Sequence, residues 1–575
     1  MNTLLLALNS QYVHTNLAVR SLREYADGRG FDRLQLAEYT INHPLELVLE
    51  EVYRRKPDLL LLSCYIWNIG RMQELAAELR QLLPQLRIVA GGPEVSYDAE
   101  AFLTRQPAVD MVLRGEGEEA LCQLLEHFDG RRPLGQVANL SWRDGSTIRH
   151  NPTAPLLDLA ALPFPYPDLE ACAGRILYFE TIRGCPFRCS YCLSSIAGPV
   201  RYLPLELALP RLQRFLDARV RQVKFVDRTF NCSRAHAMAI WKYLAEHDNG
   251  VTNFHFEITA HLMDDEMIDF LSTVRPGLFQ FEIGVQSTNP DTIAAIRRTT
   301  DTPRLLSICR RLDAPRNIHL HLDLIAGLPY EGLASFCRSF DEVMAIRPQQ
   351  LQLGFLKVLK GSHMADCTEE YGLVARQSAP FQVMRTRWLS FDEMLLLQGM
   401  EEMVDHYYNS GLFARELELL LGREASAADF FLEMGRWWRR EGCHLLRPSL
   451  EERYTLLGRY AVWRQGEEIL PLLRDCCRFD LCCHDRPRKL PQILREEPAP
   501  PLPPSADELL HDAPSLWQLL PHRQGQPSKE IAREVYLQSF ARHPLTGAPG
   551  PVYYLFDPAR RDLLGRALAV ELRLD

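Results

Sequence analysis

Along the first 140 residues, short unbroken apolar runs alternate with stretches whose apolar positions recur at helical spacing. The runs are TLLLALN (3–9), DLLLLS (58–63), RIVAGG (87–92) and DMVLRG (110–115). Continuous apolar strands separated by helical periods predict parallel strands covered on both faces, an open doubly wound, Rossmann-like α/β sheet. Ligands of such sheets sit beyond the carboxyl ends of the strands. Those ends fall at Asn9-Ser10, Ser63-Cys64, Gly91-Gly92-Pro93 and Gly115-Glu116-Gly117-Glu118, where small residues let a large flat ligand approach the backbone.

From 173 to 378 strand and helix patterns alternate again, but the strands themselves now alternate apolar with polar. FHFEIT sets Phe254, Phe256 and Ile258 against His255, Glu257 and Thr259, and FQFEIGVQS sets Phe279, Phe281, Ile283 and Val285 against Gln280, Glu282, Gly284 and Gln286. IHLHLDLIAG opposes Leu320, Leu322 and Leu324 to His319, His321 and Asp323, and QLQLGFL carries Gln350 and Gln352 in the same way. Helical stretches at 264–274 and 291–297 favour parallel β/α units over an antiparallel sheet with one wet face. Helices then cover the apolar face, and the polar residues line a partial β/α (TIM-like) barrel. Ordinary barrel interiors are packed with branched apolar side chains, so a polar lumen is a working cavity. His255, Glu282, His319 and His321 are its expected substrate-facing residues.

Proline-rich, aperiodic stretches at 141–172 and at EEPAPPLPPSA (496–506) read as linkers. They divide the chain into an α/β domain (1–140), the barrel (173–378), a mostly α-helical extension (379–495) and a last region (507–575). A chain of 575 residues exceeds one core, in keeping with several units. Hydrophobic residues at 46% and charged residues at 24% are the balance of a soluble globular protein. A net charge of -9 argues against a surface built throughout to neutralise phosphates. The apolar start Leu4–Leu8 is too short to span a membrane and lacks a signal peptide's basic lead, so no membrane partner is expected. Fifteen cysteines without an export signal point to a reducing, cytoplasmic compartment.

The chemistry is concentrated in RGCPFRCSYC (183–192), which follows the first barrel strand. Cys185, Cys189 and Cys192, spaced C-x3-C-x2-C, offer three thiolates on one loop. Structural zinc uses four ligands, usually as two knuckles, and no second C-x2-C pair follows at suitable spacing. Iron-sulfur clusters also take four cysteines as a rule, so three ligands on a four-iron cluster leave one iron open.

This motif after the first strand of a polar-lined barrel resembles the radical SAM superfamily. The resemblance implies a [4Fe-4S] cluster whose open iron is chelated by S-adenosylmethionine, reductive cleavage of that molecule to a 5'-deoxyadenosyl radical, and an electron donor such as flavodoxin or ferredoxin. By the same resemblance Tyr191 lies near the adenine, while Glu257, Gln286 and Asp323 fall where relatives contact S-adenosylmethionine or substrate. Arg183 and Asp227 are weaker candidates, because the superfamily's Gly-Gly-Glu stretch is replaced here by VKFVDRTF.

The front domain, with GGPE and GEGEEAL at strand ends, resembles the cobalamin-binding domain of the B12-dependent radical SAM family. That implies a cobalamin cofactor, with contacts from Ser63, Gly91, Gly92, Gly115 and Glu116. The D-x-H-x-x-G motif of many other B12 proteins is absent from the loop after the first strand, LNSQYVHTNLAV, although His14 is nearby. The last third looks like the helical extension of an uncharacterised subgroup, carried by LGFLKVLKGS and APFQVMRTRWLS. The implied activity is methylation of an unactivated carbon. Alternatives are tRNA methylation or methylthiolation, a radical rearrangement without methyl transfer, and a cluster or cobalamin sensor.

Two further stretches cluster thiols or aromatic and basic residues. CCRFDLCCH (476–484) reads as a packed helix rather than a metal site, since adjacent thiols seldom ligate one ion. GRWWRREG (435–442) reads as a helix with tryptophans in the core, or as a nucleic-acid surface.

Overall fold

The computed structural model describes residues 1–196, 198–484 and 490–574. Its first sheet has five parallel strands, β1 (Thr3–Asn9), β2 (Leu34–Thr40), β3 (Leu59–Ser63), β4 (Arg87–Gly91) and β5 (Met111–Leu113), in the order β2-β1-β3-β4-β5. Alternate residues of each strand feed two cores. Leu4, Leu6, Leu60 and Leu62 pack with helices Leu45–Arg55 and Ile69–Leu82, while Leu5, Ala7, Leu59 and Leu61 pack with Leu17–Asp27 and Glu118–Phe128. Burial on both faces explains the unbroken apolar runs. The sheet then continues beyond the expected boundary at 140, through an antiparallel hairpin of β6 (Leu140–Asp144) and β7 (Thr147–His150). The linker expected at 141–172 therefore contributes most of β6 and all of β7 to the first domain. The hairpin escapes a search for apolar runs because only Leu140 and Ser141 of its inner strand are buried.

The second sheet is six parallel strands, β8 (Ile176–Phe179), β11 (Gln222–Phe225), β12 (Asn253–Ile258), β13 (Phe279–Gln286), β14 (His319–Ala326) and β15 (Gln350–Phe355), in the order β15-β14-β13-β12-β11-β8. Between β8 and β11, a short antiparallel ribbon of β9 (Ile182–Arg183) and β10 (Arg201–Tyr202) closes off the cysteine loop. The free edge of β8 is covered by the first domain: Ile176 donates its N–H to Val13 and accepts from Thr15. An exposed strand edge is an aggregation hazard, and this contact removes it while fixing the two domains together.

Helices from Phe391 to His484 extend the barrel's core, with Trp437, Trp438, Tyr454 and Tyr460 buried among them. Beyond Pro504 the chain forms short helices and an antiparallel sheet of β18 (Tyr536–Arg542), β19 (Pro549–Arg561) and β20 (Ala567–Leu572), numbered after the small ribbon β16 (Val374–Ala375) and β17 (Val383–Arg385). This last sheet packs on helix Leu470–His484 through Phe479, Phe540, Tyr554 and Phe556. Among the described residues, no helix is long and apolar enough to cross a membrane.

Candidate active site

The loop that bears the cysteines is anchored before it begins. The buried Asp227 carboxylate, at the end of β11, accepts from the Thr181 N–H at 2.8 Å, the Ile182 N–H at 3.0 Å and the Thr181 hydroxyl at 2.5 Å. Burial pushes its pKa up to about 7 despite those donors. Asp227 is therefore a positioning residue that fixes how the chain leaves β8. Gly184 follows with φ 96°, and a Cβ there would lie 2.7 Å from the Pro199 carbonyl, so only glycine closes this turn.

Within the loop, Cys189 is buried and Cys185 and Cys192 are partly exposed. The backbone is pinned from the barrel side: Ser190 N–H donates to Ile296 at 2.9 Å, and Met364 N–H donates to Ser190 at 2.8 Å. Arg298 supplies positive charge, with Nη1 4.0 Å from Cys189 Sγ and 3.3 Å from the Tyr191 hydroxyl, and Nη2 donating to the Gly284 carbonyl at 2.6 Å. Burial pushes the Cys189 thiol up, and Arg298 opposes that shift. Three thiols on one loop pinned to the barrel, with a guanidinium beside the most buried of them, supply three of the four ligands a four-iron cluster takes, so the loop fits a [4Fe-4S] group with three protein ligands.

The residues expected to meet S-adenosylmethionine do not all behave alike. Tyr191 is packed with Ile293, Ile296, Leu328 and Leu356, its hydroxyl turned to Arg298. Glu257 lines a large cavity and faces Arg228 at 3.7 Å. Gln286 ends β13 at φ 70°, an uncommon backbone for a residue with a side chain, and its amide occupies the space left by Gly284. Its buried Oε1 has no hydrogen-bond partner, nor has Oδ1 of Asp323. Burial, then the charges of Glu282 and Glu257, raise the Asp323 pKa well above the carboxylate range. Orphaned acceptors and proton-bearing groups in a strand-end row are what a polar ligand would satisfy.

Deeper in the lumen, His319 lies near His255 and His321, and these two lie near Glu282, whose Oε2 is 3.0 Å from Lys224 Nζ. Although burial opposes its charge, His255 and Lys224 hold Glu282 well below the usual range. Burial pushes His319 and His321 each down to about 4, leaving neutral rings at neutral pH.

The cavity measures about 1080 Å³ and joins the carboxyl ends of both sheets. Sites for drug-sized ligands run about 300–1,000 Å³, so it has room for something larger or for two ligands together. Ser63, Gly91, Gly92, Gly115 and Glu116 all line it, opposite Tyr178, Arg183, Gly184, Lys224 and Glu257 of the barrel. Their roles divide. A Cβ on Gly115 (φ 65°) would meet nothing within 4 Å, which leaves that backbone open to the cavity. A Cβ on Gly92 would lie 2.5 Å from the Cys64 carbonyl, so this glycine serves the packing of β3 against the loop after β4. The Glu116 carboxylate is already engaged, by Arg201, by Arg183 at 3.5 Å and by the Leu157 N–H at 3.2 Å. It joins the domains and has little left to offer a ligand. His14 is likewise engaged, with Nδ1 2.8 Å from the Tyr178 hydroxyl.

Sequence reasoning passed over Arg228 and Arg298. Only their places, just past β11 and after the helix that follows β13, connect them to the site. Arg183 lies between Glu118 at 2.9 Å and Glu180 at 2.7 Å, an interdomain clamp. The cysteines at 476, 477, 482 and 483 are buried, and burial pushes Cys482 up to about 12, as for thiols that pack rather than ligate.

Comparison with known families assigns the domains. Residues 3–125 match the B12 binding domain and 179–343 the Radical SAM superfamily. The chain thus carries a B12 binding domain followed by a Radical SAM domain. Residues 369–546 of this radical SAM protein match a further family described as a protein of unknown function, DUF4080. It is 28% identical over 461 residues, 72% of its length, to the cobalamin-dependent radical SAM methyltransferase TokK of Streptomyces tokunonensis. It is 29% identical over 337 residues, 55% of its length, to a 2-(S-pantetheinyl)-carbapenam-3-carboxylate methyltransferase of Streptantibioticus cattleyicolor. The chain spans 66% of the first and 49% of the second of these curated relatives. In fold it resembles OxsB, a cobalamin-dependent S-adenosylmethionine radical enzyme solved with aqua-cobalamin (TM-score 0.60, 16% identity, 84% of this chain and 79% of that one). TsrM from Kitasatospora setae, solved with cobalamin and a [4Fe-4S] cluster, gives a TM-score of 0.56 at 18% identity, over 66% of this chain and 78% of that one.

Proposed function

We propose that this radical SAM protein is a cobalamin-dependent methyltransferase that methylates an unactivated carbon of a small molecule. The observation that carries the reading is a cavity of about 1080 Å³ shared by the strand ends of the front sheet and the barrel. When bound, the cluster, S-adenosylmethionine and cobalamin would supply radical generation and a transferable methyl group; the chain supplies their placement.

In this reading Cys185, Cys189 and Cys192 hold the cluster, and Arg298 favours the thiolate form of Cys189. Gln286, Asp323 and Glu257 offer polar contacts to S-adenosylmethionine, and Tyr191 packs beside them. Ser63, Gly91 and Gly115 present the front sheet's edge to cobalamin. Lys224, His255, His319 and His321 orient the substrate within reach of both. Flavodoxin or ferredoxin would deliver the electron, in a reducing cytoplasm.

The aromatic and basic stretch considered for RNA is divided by the fold: Trp437 and Trp438 are buried and Arg439 and Arg440 lie outside. A helix with buried aromatics offers no stacking platform for bases, which favours a small-molecule substrate.

The test is to supply methyl-deuterated S-adenosylmethionine to the reduced, cobalamin-loaded protein with a small-molecule extract. The reading predicts 5'-deoxyadenosine, S-adenosylhomocysteine and one labelled product. Formation of 5'-deoxyadenosine alone would replace it with radical chemistry without methyl transfer.

A further inference from the structure

His255, Glu282 and His321 stand on three neighbouring strands, β12, β13 and β14, all facing the lumen. Each offers one donor atom, and the three atoms lie within 4.8 Å of one another. The Glu282 Oε2 atom is 3.1 Å from His255 Nε2 and 3.9 Å from His321 Nδ1. Ligands about 2.0–2.2 Å from one ion stand roughly 3–4 Å from each other, so this spread suits a shared ion.

Both histidines are buried, and their neighbours do not satisfy every ring nitrogen. Both are 6% exposed, and the Nε2 atoms of both lack a hydrogen-bond partner. On the far side of the His321 ring, Nε2 lies 3.1 Å from Asp323 Oδ1. A carboxylate behind the second nitrogen of a ligating imidazole is the usual device that orients such a ring toward a metal. Backbone pairing sets Glu282 directly opposite His321, so the donors are held by a rigid sheet.

We infer that His255, Glu282 and His321 form a binding site for one divalent first-row transition ion in the barrel lumen, separate from the cysteine loop. Two imidazoles and a carboxylate are the donor set of zinc hydrolytic sites and of non-haem ferrous sites, and both leave positions open for a substrate oxygen or nitrogen. Burial keeps the rings neutral, the form that coordinates, with His321 pushed down to about 4. Lys224 is the built-in competitor, since its Nζ sits 3.0 Å from the same Glu282 oxygen. Its removal should tighten metal binding. The site stands whether or not the protein transfers methyl groups.

The test uses the full chain with its cluster in place, titrated anaerobically with zinc and examined by metal analysis and zinc X-ray absorption. The inference predicts about one zinc per chain with nitrogen and oxygen neighbours and imidazole scattering. Affinity should fall at least about tenfold in His255→Ala and in Glu282→Gln, and rise in Lys224→Met, with the iron content unchanged. Lys224→Met keeps the test decisive if either ligand variant folds poorly. Sulfur-dominated scattering, or zinc binding unchanged across all three variants, would overturn it. Loss of label transfer with zinc binding intact would count against the methyltransferase reading alone.

Discussion

Arg298 Nη1 lies 4.0 Å from the sulfur of Cys189, the most buried of the three loop cysteines, and the same guanidinium donates to the Gly284 carbonyl on β13. One side chain thus offsets charge on the loop and ties it to the strand whose end carries Gln286. Arg298→Gln should keep the fold but lower S-adenosylmethionine cleavage by at least about tenfold, the scale on which partners behind a metal ligand act. Iron content and 5'-deoxyadenosine formation measure it; wild-type values for both would remove Arg298 from the site.

Arg183 joins the two α/β domains by standing between Glu118 and Glu180. Removing one partner of a buried ion pair strands the others, at a cost of about 3–5 kcal/mol. Arg183→Met should lower the midpoint of denaturant unfolding and loosen the first domain, seen as faster amide exchange in β1 and in the 13–15 segment that covers β8.

The acid side of the stability profile should be steep. His319 and His321 titrate near 4 when folded, against 6.5 as the unperturbed value. Between those pH values the unfolded chain takes up protons that the folded chain refuses. Stability is fully present above 6.5 and falls as the pH drops toward 4, on the order of 3 kcal/mol per ring. His319→Gln should flatten that slope, measured by urea unfolding at a series of pH values.

Trp438 is fully buried in the helical extension. Trp438→Ala should cost about 3–5 kcal/mol, whereas Arg439→Ala and Arg440→Ala together should change stability by less than about 1 kcal/mol. Weak RNA binding, unaltered by the arginine pair, would agree with a core role for this helix; tight binding lost with the arginines would restore the nucleic-acid reading.

Much of this architecture was legible because periodicity reports burial. The unbroken leucines of β1 and β3 are buried on both faces, and the alternation in β12 to β14 separates an apolar shell from a polar lumen. C-x3-C-x2-C was legible because all three ligands lie in one short loop. Less visible was anything set by distant contacts: Arg298 reaching across to Cys189, Arg201 engaging Glu116, or β8 completed by residues 13–15. The final sheet is less legible: EVYLQSF and PVYYLFDP carry β-branched and aromatic residues, but they follow a proline-rich stretch and stand apart from any repeating strand and helix pattern.

A cavity that joins the front sheet's edge to the barrel mouth is proposed to hold cobalamin beside the cysteine loop, and cofactor content measured in a single sample tests that most directly. Protein purified without oxygen, with cobalamin supplied, should carry about one cobalt for every four irons and four sulfides. Ser63→Trp, which crowds the front sheet's edge, should lose the cobalt and keep the iron. A sample with its full iron and sulfide but no cobalt would contradict the account, because the cavity would then have lost the cofactor that its front wall is proposed to hold.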